Sequence, residues 1–341
     1  MTIKAVVYGV GAMNSIATRL LLDKGVEIVG AISRSESKVG NDLGEVTGIG
    51  RSLDVVISND PHEVFERTRP DVAVIAVNSY MTDAVEQLRA CAEHGVNAVT
   101  LSEEALYPWQ TSPEITRELD GIAKRTGATL TGTGHQDTYW VNIVALMMGT
   151  AHRIDSVTGH ASWNVDDYGP EVAGDQQVGK TVEEFDEWLA SAERPPTFGR
   201  NVLDALVADT GLTVKSVTTN TRPDIAETSM FSRALQREIL PGRVIGFTDI
   251  DEIVTTEGPV FNFEMSGRVY GAGDGDINEW EIKGEPDLAL SNGTVPTQVT
   301  TCTQLVNRIP DVIAAPAGFV TVEKLPRLRY RTFPLHTYLG R

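Results

Sequence analysis

The stretch Lys4 to Arg34, KAVVYGVGAMNSIATRLLLDKGVEIVGAISR, leaves little freedom in how the chain can fold. An apolar run ends at Tyr8, Gly9-Val10-Gly11 follows at once, and then come a helical spacing and a second apolar run, Val26 to Ile32. Strand, glycine turn, helix and strand in that order form the unit that binds a dinucleotide pyrophosphate. Gly9 permits the sharp turn, and Gly11 lets the backbone approach a phosphate without a Cβ in the way. The helix beginning at Ala12-Met13-Asn14 offers its unpaired N–H groups and positive dipole end to the anion. Asn14 stands where the usual pattern has its third glycine. The plain alternative is an ordinary β-α turn that binds nothing, and the strand-turn-helix context favours the cofactor.

The end of the second strand selects between cofactors. NAD sites place a carboxylate there for the ribose hydroxyls. This chain reads Ala31-Ile32-Ser33-Arg34, with no acid before Glu36. Ser33 can donate to a 2′-phosphate, Arg34 can pair with it and stack on adenine, and Lys38 is close enough in sequence to help. NADP is favoured, and nothing in the stretch expels NAD.

The net charge of −18 argues against nucleic acid or an anionic membrane surface as partner. Cys91 and Cys302 form no CxxC pair or disulfide framework, which points to a reducing compartment. Strand one starts too near Met1 to leave room for a signal peptide, and no apolar run approaches the roughly 20 residues that span a bilayer. The expectation is a soluble, cytoplasmic protein.

Residues 1–134 are expected to form an α/β Rossmann domain, a doubly wound parallel sheet. Strands are predicted over Asp54 to Ser58, Asp71 to Val77, Asn97 to Leu101 and Thr129 to Gly132. Helices are predicted from Pro61, over Tyr80 to His94, and over Pro113 to Arg125. The texture changes after Gly134. Thr138 to Gly149 is apolar almost all round, which suggests a buried helix. Strand-like alternation then dominates from Arg153, interrupted by a helical insert near Thr181 to Leu212. Residues 135–310 are accordingly expected to form a second, α+β domain on a mostly antiparallel sheet, for substrate binding and dimerisation. Thr297 to Ile313 returns to helical spacing, and residues 311–341, with a Pro-rich tail from Pro326, are expected to return to the first domain.

In doubly wound sheets ligands lie beyond the carboxyl ends of the strands. That rule nominates the glycine turn, Ser33-Arg34, Asn78-Ser79, Ser102 to Glu104, and Gly134 to Trp140. Glu103-Glu104 is the one ionisable pair beside the expected nicotinamide position, and adjacent residues point apart, so at most one enters the cleft. Such a carboxylate could hold a cation or act as general acid and base. The plain alternative is two acids in a helix's first turn, capped by Ser102. His135, Thr138, Tyr139 and Trp140 crowd polar and aromatic groups together, and Trp163, Asp166, Asp167 and Tyr168 form a third group. Aromatic faces suit apolar and cationic ligands alike. No HExxH, paired CxxC, P-loop lysine or G-x-S-x-G occurs, so no metal site is expected.

The segments YGVGAMN, SRSESKVGNDLGEVTG, VTLSEEALYPW, TGTGHQDTYWVN and NRIPDV…APAGFVTV resemble the native amine dehydrogenases. These are relatives of 2,4-diaminopentanoate dehydrogenase in the dihydrodipicolinate-reductase-like group. The resemblance runs nearly end to end. It implies NAD(P)H-dependent reductive amination of a small ketone or aldehyde with ammonia, the reverse deamination of an amine, and a homodimer. It also implies a catalytic glutamate at Glu103, with Glu104 as the fallback if the register is off by one. A small apolar substrate site would be lined by Trp140, Trp163 and Tyr168, with His135 and Thr138 near its mouth or floor. No arginine among these residues pairs with a substrate carboxylate, which favours a simple amine over an amino acid unless Arg233 or Arg308 folds into the site. A diamino acid dehydrogenase and a nonenzymatic NADP-binding sensor are the competing readings. Dihydrodipicolinate reductase itself is disfavoured by the missing Lys-x-Asp-Ala-Pro-Ser-Gly segment, and the sugar dehydrogenases by acid where they carry the lysine of Glu-Lys-Pro.

Overall fold

A computed structural model describes residues 2–191, 194–293 and 295–340. The chain folds as two units, Met1–Ile143 with Pro296–Arg341, and Val144–Val295.

The first unit alternates strand and helix: β1 (Lys4–Tyr8), α1 (Ala12–Asp23), β2 (Glu27–Ile32), α2 (Leu43–Val46), β3 (Ile57–Ser58), α3 (Pro61–Thr68), β4 (Val72–Ile75), α4 (Met81–Glu93), β5 (Asn97–Thr100), α5 (Pro113–Thr126) and β6 (Thr129–Gly132). With β15 (Gly318–Phe319) these strands form a seven-stranded sheet of order β15-β6-β5-β4-β1-β2-β3, and every neighbouring pair is parallel. Both faces are covered, which is why β4 is apolar and buried at each position. One face holds Ile3, Val7, Leu21, Val74 and Val99; the other holds Val6, Phe65, Ile75, Leu88 and Leu130. The order reverses at β1, so the carboxyl ends of β1 and its neighbours open a crevice.

Strand β3 is shorter than the expected Asp54 to Ser58. The Asp42 carboxylate captures the amides of Leu53 and Val55 at 3.0 and 3.1 Å, so these residues bond to a side chain instead of a ladder. The expected buried helix over Thr138 to Gly149 also differs. A wide π-helical turn, Asp137–Asn142, precedes a short α6 (Ile143–Met148), and Leu146 is 54% exposed. Asn142 Nδ2 bonds both the backbone and side-chain oxygens of Asp137, five residues back, and holds the turn open.

The division between units falls at 143/144 and 295/296 rather than at the expected 134/135 and 310/311. Two contacts account for this. Asp137 is ion-paired with Arg308 of α10 (Thr297–Ala314), both fully buried. Cys302, Leu305, Val306, Ile309 and Val312 of α10 join the core beneath β1, β4 and β5. The C-terminal residues lie in this first unit as well. Leu335 is buried in the same core, and its amide donates to Lys24 O at 3.0 Å.

In the second unit β7 (Arg153–Asn164) leads through α7 (Pro170–Asp175), α8 (Val182–Leu189) and α9 (Phe198–Thr210) to β8 (Val214–Ile225). A hairpin, β9 (Met230–Ser232) and β10 (Arg237–Ile239), precedes β11 (Val244–Thr255), β12 (Val260–Arg268), β13 (Ile277–Glu285) and β14 (Leu288–Ser291). The six-stranded sheet has order β14-β13-β7-β12-β11-β8, antiparallel at every pair except β7 with β12. Phe263 and Trp280 stack at 5.0 Å in its core, and Gly159 is required beneath them because a Cβ would lie 2.6 Å from both rings. Among the described residues no helix is long and apolar enough to cross a membrane.

Candidate active site

The glycine turn is built as its sequence demands. Gly9 has φ +86°, and a Cβ there would lie 2.3 Å from Ala76 O, so no side chain is tolerated. Gly11 is the N-cap of α1, whose start has no side-chain cap and no acidic residue in its first turn. A Cβ on Gly11 would meet nothing within 4 Å, leaving open space above the first amides of α1, those of Ala12 and Met13. This is a cradle that fits a pyrophosphate. Lys38 is folded back onto it, its Nζ donating to Val10 O at 2.5 Å, which adds a cation to the turn.

Asn14 does not reach the cradle. It is fully buried, and its Nδ2 donates to Tyr8 O, Gly9 O and Val74 O at 3.0, 2.7 and 3.2 Å. The expected cofactor contact is therefore corrected to a clamp that ties the turn to β4. At the end of β2, Ser33 is 6% exposed and its Oγ accepts from Ser35 N at 3.2 Å, while Arg34 is exposed.

Beyond β4, Asn78 is exposed and Ser79 half-buried. Beyond β5, a 3-10 turn Glu103–Leu106 packs directly on the end of β6, where a Cβ at Gly132 would sit 2.3 Å from the Ala105 carbonyl carbon. Ser102 lies wholly buried at its start with its hydroxyl 3.0 Å from that of Thr100, so it lines the turn from within. The two glutamates then part. Glu104 is 1% exposed and accepts from Met81 N at 2.7 Å, Thr111 Oγ1 at 2.7 Å and Ser112 Oγ at 2.6 Å. It supplies the cap that Tyr80, at the N-cap of α4, does not. That use removes Glu104 as the fallback. Glu103 faces Ser79 instead: burial pushes its carboxyl above the ordinary carboxylate range, and the hydrogen bond from the Ser79 side chain draws it partway back.

Beyond β6, His135 stacks on Tyr139 with ring centroids 4.6 Å apart and meets the Trp140 edge at 5.4 Å. Burial pushes the imidazole down to about 4, so it is neutral at pH 7, and its buried Nδ1 has no partner among the described residues. Thr138 Oγ1 is likewise buried without a partner, while its amide donates to Gln304 Oε1 at 3.1 Å. Between them, Asp137 is entirely structural. It accepts from Thr133 Oγ1 at 2.7 Å, Asn142 Nδ2 at 2.6 Å and Arg308 Nη2 at 2.6 Å. Sequence reading did not separate Asp137 from its neighbours, and only the distant Arg308 reveals its role.

In the second unit, Trp163 closes against Gly267, where a Cβ would lie 2.4 Å from the indole, and meets Tyr168 edge-on at 5.2 Å. The turn carrying Tyr168 is held by Asp166, which accepts from Ser232 Oγ, Arg233 N and Ala234 N at 2.6 to 3.1 Å. Arg233 itself pairs with Asp167 at 3.0 Å. Both arginines that stood as candidates for a substrate carboxylate, Arg233 and Arg308, thus already have acidic partners.

A family model described as the 2,4-diaminopentanoate dehydrogenase C-terminal domain matches residues 140–331, and one described as the dihydrodipicolinate reductase N-terminus matches residues 3–102. A 2,4-diaminopentanoate dehydrogenase from Acetoanaerobium sticklandii is 26% identical over 332 residues, 95% of this chain and 93% of that protein. An amine dehydrogenase structure from Mycobacterium smegmatis matches at 74% identity and a TM-score of 0.93, covering 98% of each chain. A probable dehydrogenase from Thermotoga maritima shares the fold at 14% identity and a TM-score of 0.62, over 94% of this chain and 92% of that one. By these matches, the chain belongs to the 2,4-diaminopentanoate dehydrogenase family.

Proposed function

We propose that this protein is an NADP-dependent amine dehydrogenase that aminates small ketones and aldehydes with ammonia and deaminates the corresponding amines. The observation that carries the reading is Glu103, a half-buried glutamate just beyond the carboxyl end of β5, whose carboxyl is pushed above the ordinary range by desolvation and drawn partway back by Ser79. The turn at Gly9 to Met13 would hold the pyrophosphate, with Arg34 and Ser33 at the adenosine end. When bound, the nicotinamide supplies a hydride to the substrate carbon. Glu103 holds the nitrogen of ammonia or amine, and takes and returns protons as the carbinolamine forms and loses water. Its charge also stabilises the cationic carbon–nitrogen centre. Neutral His135 and the Thr138 hydroxyl are proposed to contact substrate. A diamino acid substrate would need a cation for its carboxylate, and the pairing of Arg233 and Arg308 favours the simple amine. The two free cysteines are buried, in accord with a cytoplasmic protein, and we place it there as a homodimer.

The test follows NADPH oxidation with cyclohexanone and short aliphatic ketones, with and without high ammonium at mildly alkaline pH. Oxidation that requires ammonium and yields amine supports the reading. Oxidation indifferent to ammonium makes the protein a carbonyl reductase, and NADPH binding without turnover makes it a sensor. Within the same assay, Trp140→Ala should move the preference toward longer ketones, by about tenfold in relative kcat/KM for one or two added methylenes. An unchanged chain-length profile would remove Trp140 from the substrate site.

A further inference from the structure

Helix α4 turns Ala84, Leu88 and Cys91 toward the core, and on that same face it carries Gln87, only 2% exposed. A primary amide is costly to bury unless its donors and acceptor are paired. Here the pairing fixes its direction. The amide nitrogen donates to Asp83 O at 2.9 Å and Ala84 O at 3.1 Å, both in the preceding turn of its own helix. The oxygen is thereby turned outward and accepts from Arg34 Nη2 at 2.9 Å. The reverse orientation would set oxygen against two carbonyls and nitrogen against a guanidinium, so the neighbours leave one choice.

Arg34 is otherwise uncommitted. No carboxylate among the described residues lies within ion-pair distance of it, although the chain carries a net charge of −18. It also reaches the end of β1: burial pushes the Tyr8 hydroxyl up to about 12, and the nearby charge of Arg34 opposes that rise. An exposed arginine at the end of β2, held at one nitrogen by a rigid neutral acceptor, keeps its charge and the rest of its donor fork free for an anion.

We propose that Gln87 is a positioning residue for cofactor choice: it holds the Arg34 guanidinium in place for the adenosine 2′-phosphate. A neutral amide suits this task better than a carboxylate, which would anchor the arginine but cancel the charge that the phosphate needs. The proposal rests on the NADP reading above, and the test separates the two. Binding of 2′,5′-ADP and of 5′-ADP is measured by calorimetry on the wild type, Arg34→Ala, Gln87→Met and the double variant. Methionine keeps the volume and flexibility of the buried chain while removing the acceptor. Gln87→Met should weaken 2′,5′-ADP by about tenfold and leave 5′-ADP unchanged, as expected for one lost hydrogen bond to a charged group. The double variant should bind 2′,5′-ADP no more weakly than Arg34→Ala alone, because Gln87 acts only through the arginine. If Arg34→Ala selectively weakens 2′,5′-ADP but Gln87→Met does not, weakens both ligands alike or adds to the arginine variant, the positioning role is overturned and the NADP reading survives. If Arg34→Ala itself spares 2′,5′-ADP, both fall.

Discussion

Glu103→Gln is expected to lower kcat for ammonium-dependent reduction by about a thousandfold while leaving NADPH affinity, read by fluorescence titration, close to wild type. The amide keeps the size and hydrogen-bonding reach of the carboxyl but neither carries the charge nor exchanges the proton. The pH profile gives a second reading of the same group. Burial raises the Glu103 carboxyl above its ordinary range, so its charged form is lost as pH falls through that raised value. Wild-type activity should therefore drop on an acid limb above the usual carboxylate range, and Glu103→Gln should lack that limb. Glu104→Gln, one residue on, is the contrast. It should weaken the cap on α4 and the bonds to Thr111 and Ser112, costing about 1–3 kcal/mol of stability, while the folded enzyme keeps its acid limb. A Glu103→Gln variant with near wild-type turnover would transfer the chemistry to another group.

Breaking the Asp137–Arg308 pair should have the largest effect on stability. Both side chains are fully buried, at 2.6 Å. Arg308→Met leaves the Asp137 carboxylate with Thr133 and Asn142 but no countercharge. The expected loss is about 3–5 kcal/mol, read as a lower urea midpoint. Replacing both, as Asp137→Leu with Arg308→Met, should cost less than either single change, because no charge is then stranded. Single variants within about 1 kcal/mol of wild type would show that water reaches the pair.

Much of this was legible from local signals. The first β-α-β unit announces itself through Gly9, Gly11 and the flanking apolar runs, and the long alternating strands of the second unit read off their period of two. Glu103 became a candidate because the carboxyl ends of parallel strands are where ligands gather. What sequence could not supply was direction. Glu103 and Glu104 are chemically identical, and the choice between them depends on Met81, Thr111 and Ser112 claiming one of them. Asn14 occupies a motif position but spends its amide on three carbonyls, one of them on β4. Asp137 and Arg308 are 171 positions apart, and no periodicity connects them. The same distance concealed the domain boundary, because the partner that draws residues 135–143 into the first unit lies beyond the whole of the second.

That interrupted connectivity also bears on synthesis. When a ribosome has delivered everything up to Val295, the second unit is complete, but the sheet built from the first 132 residues still lacks α10 and the edge strand β15. The apolar cluster that Leu305, Ile309 and Val312 will join, which includes Val7, Val74 and Val99, is then incomplete. The half made first is thus the half finished last. The nascent chain must pass through a stage in which its future nucleotide cleft stands on an unsealed core, the natural moment for a chaperone to hold it.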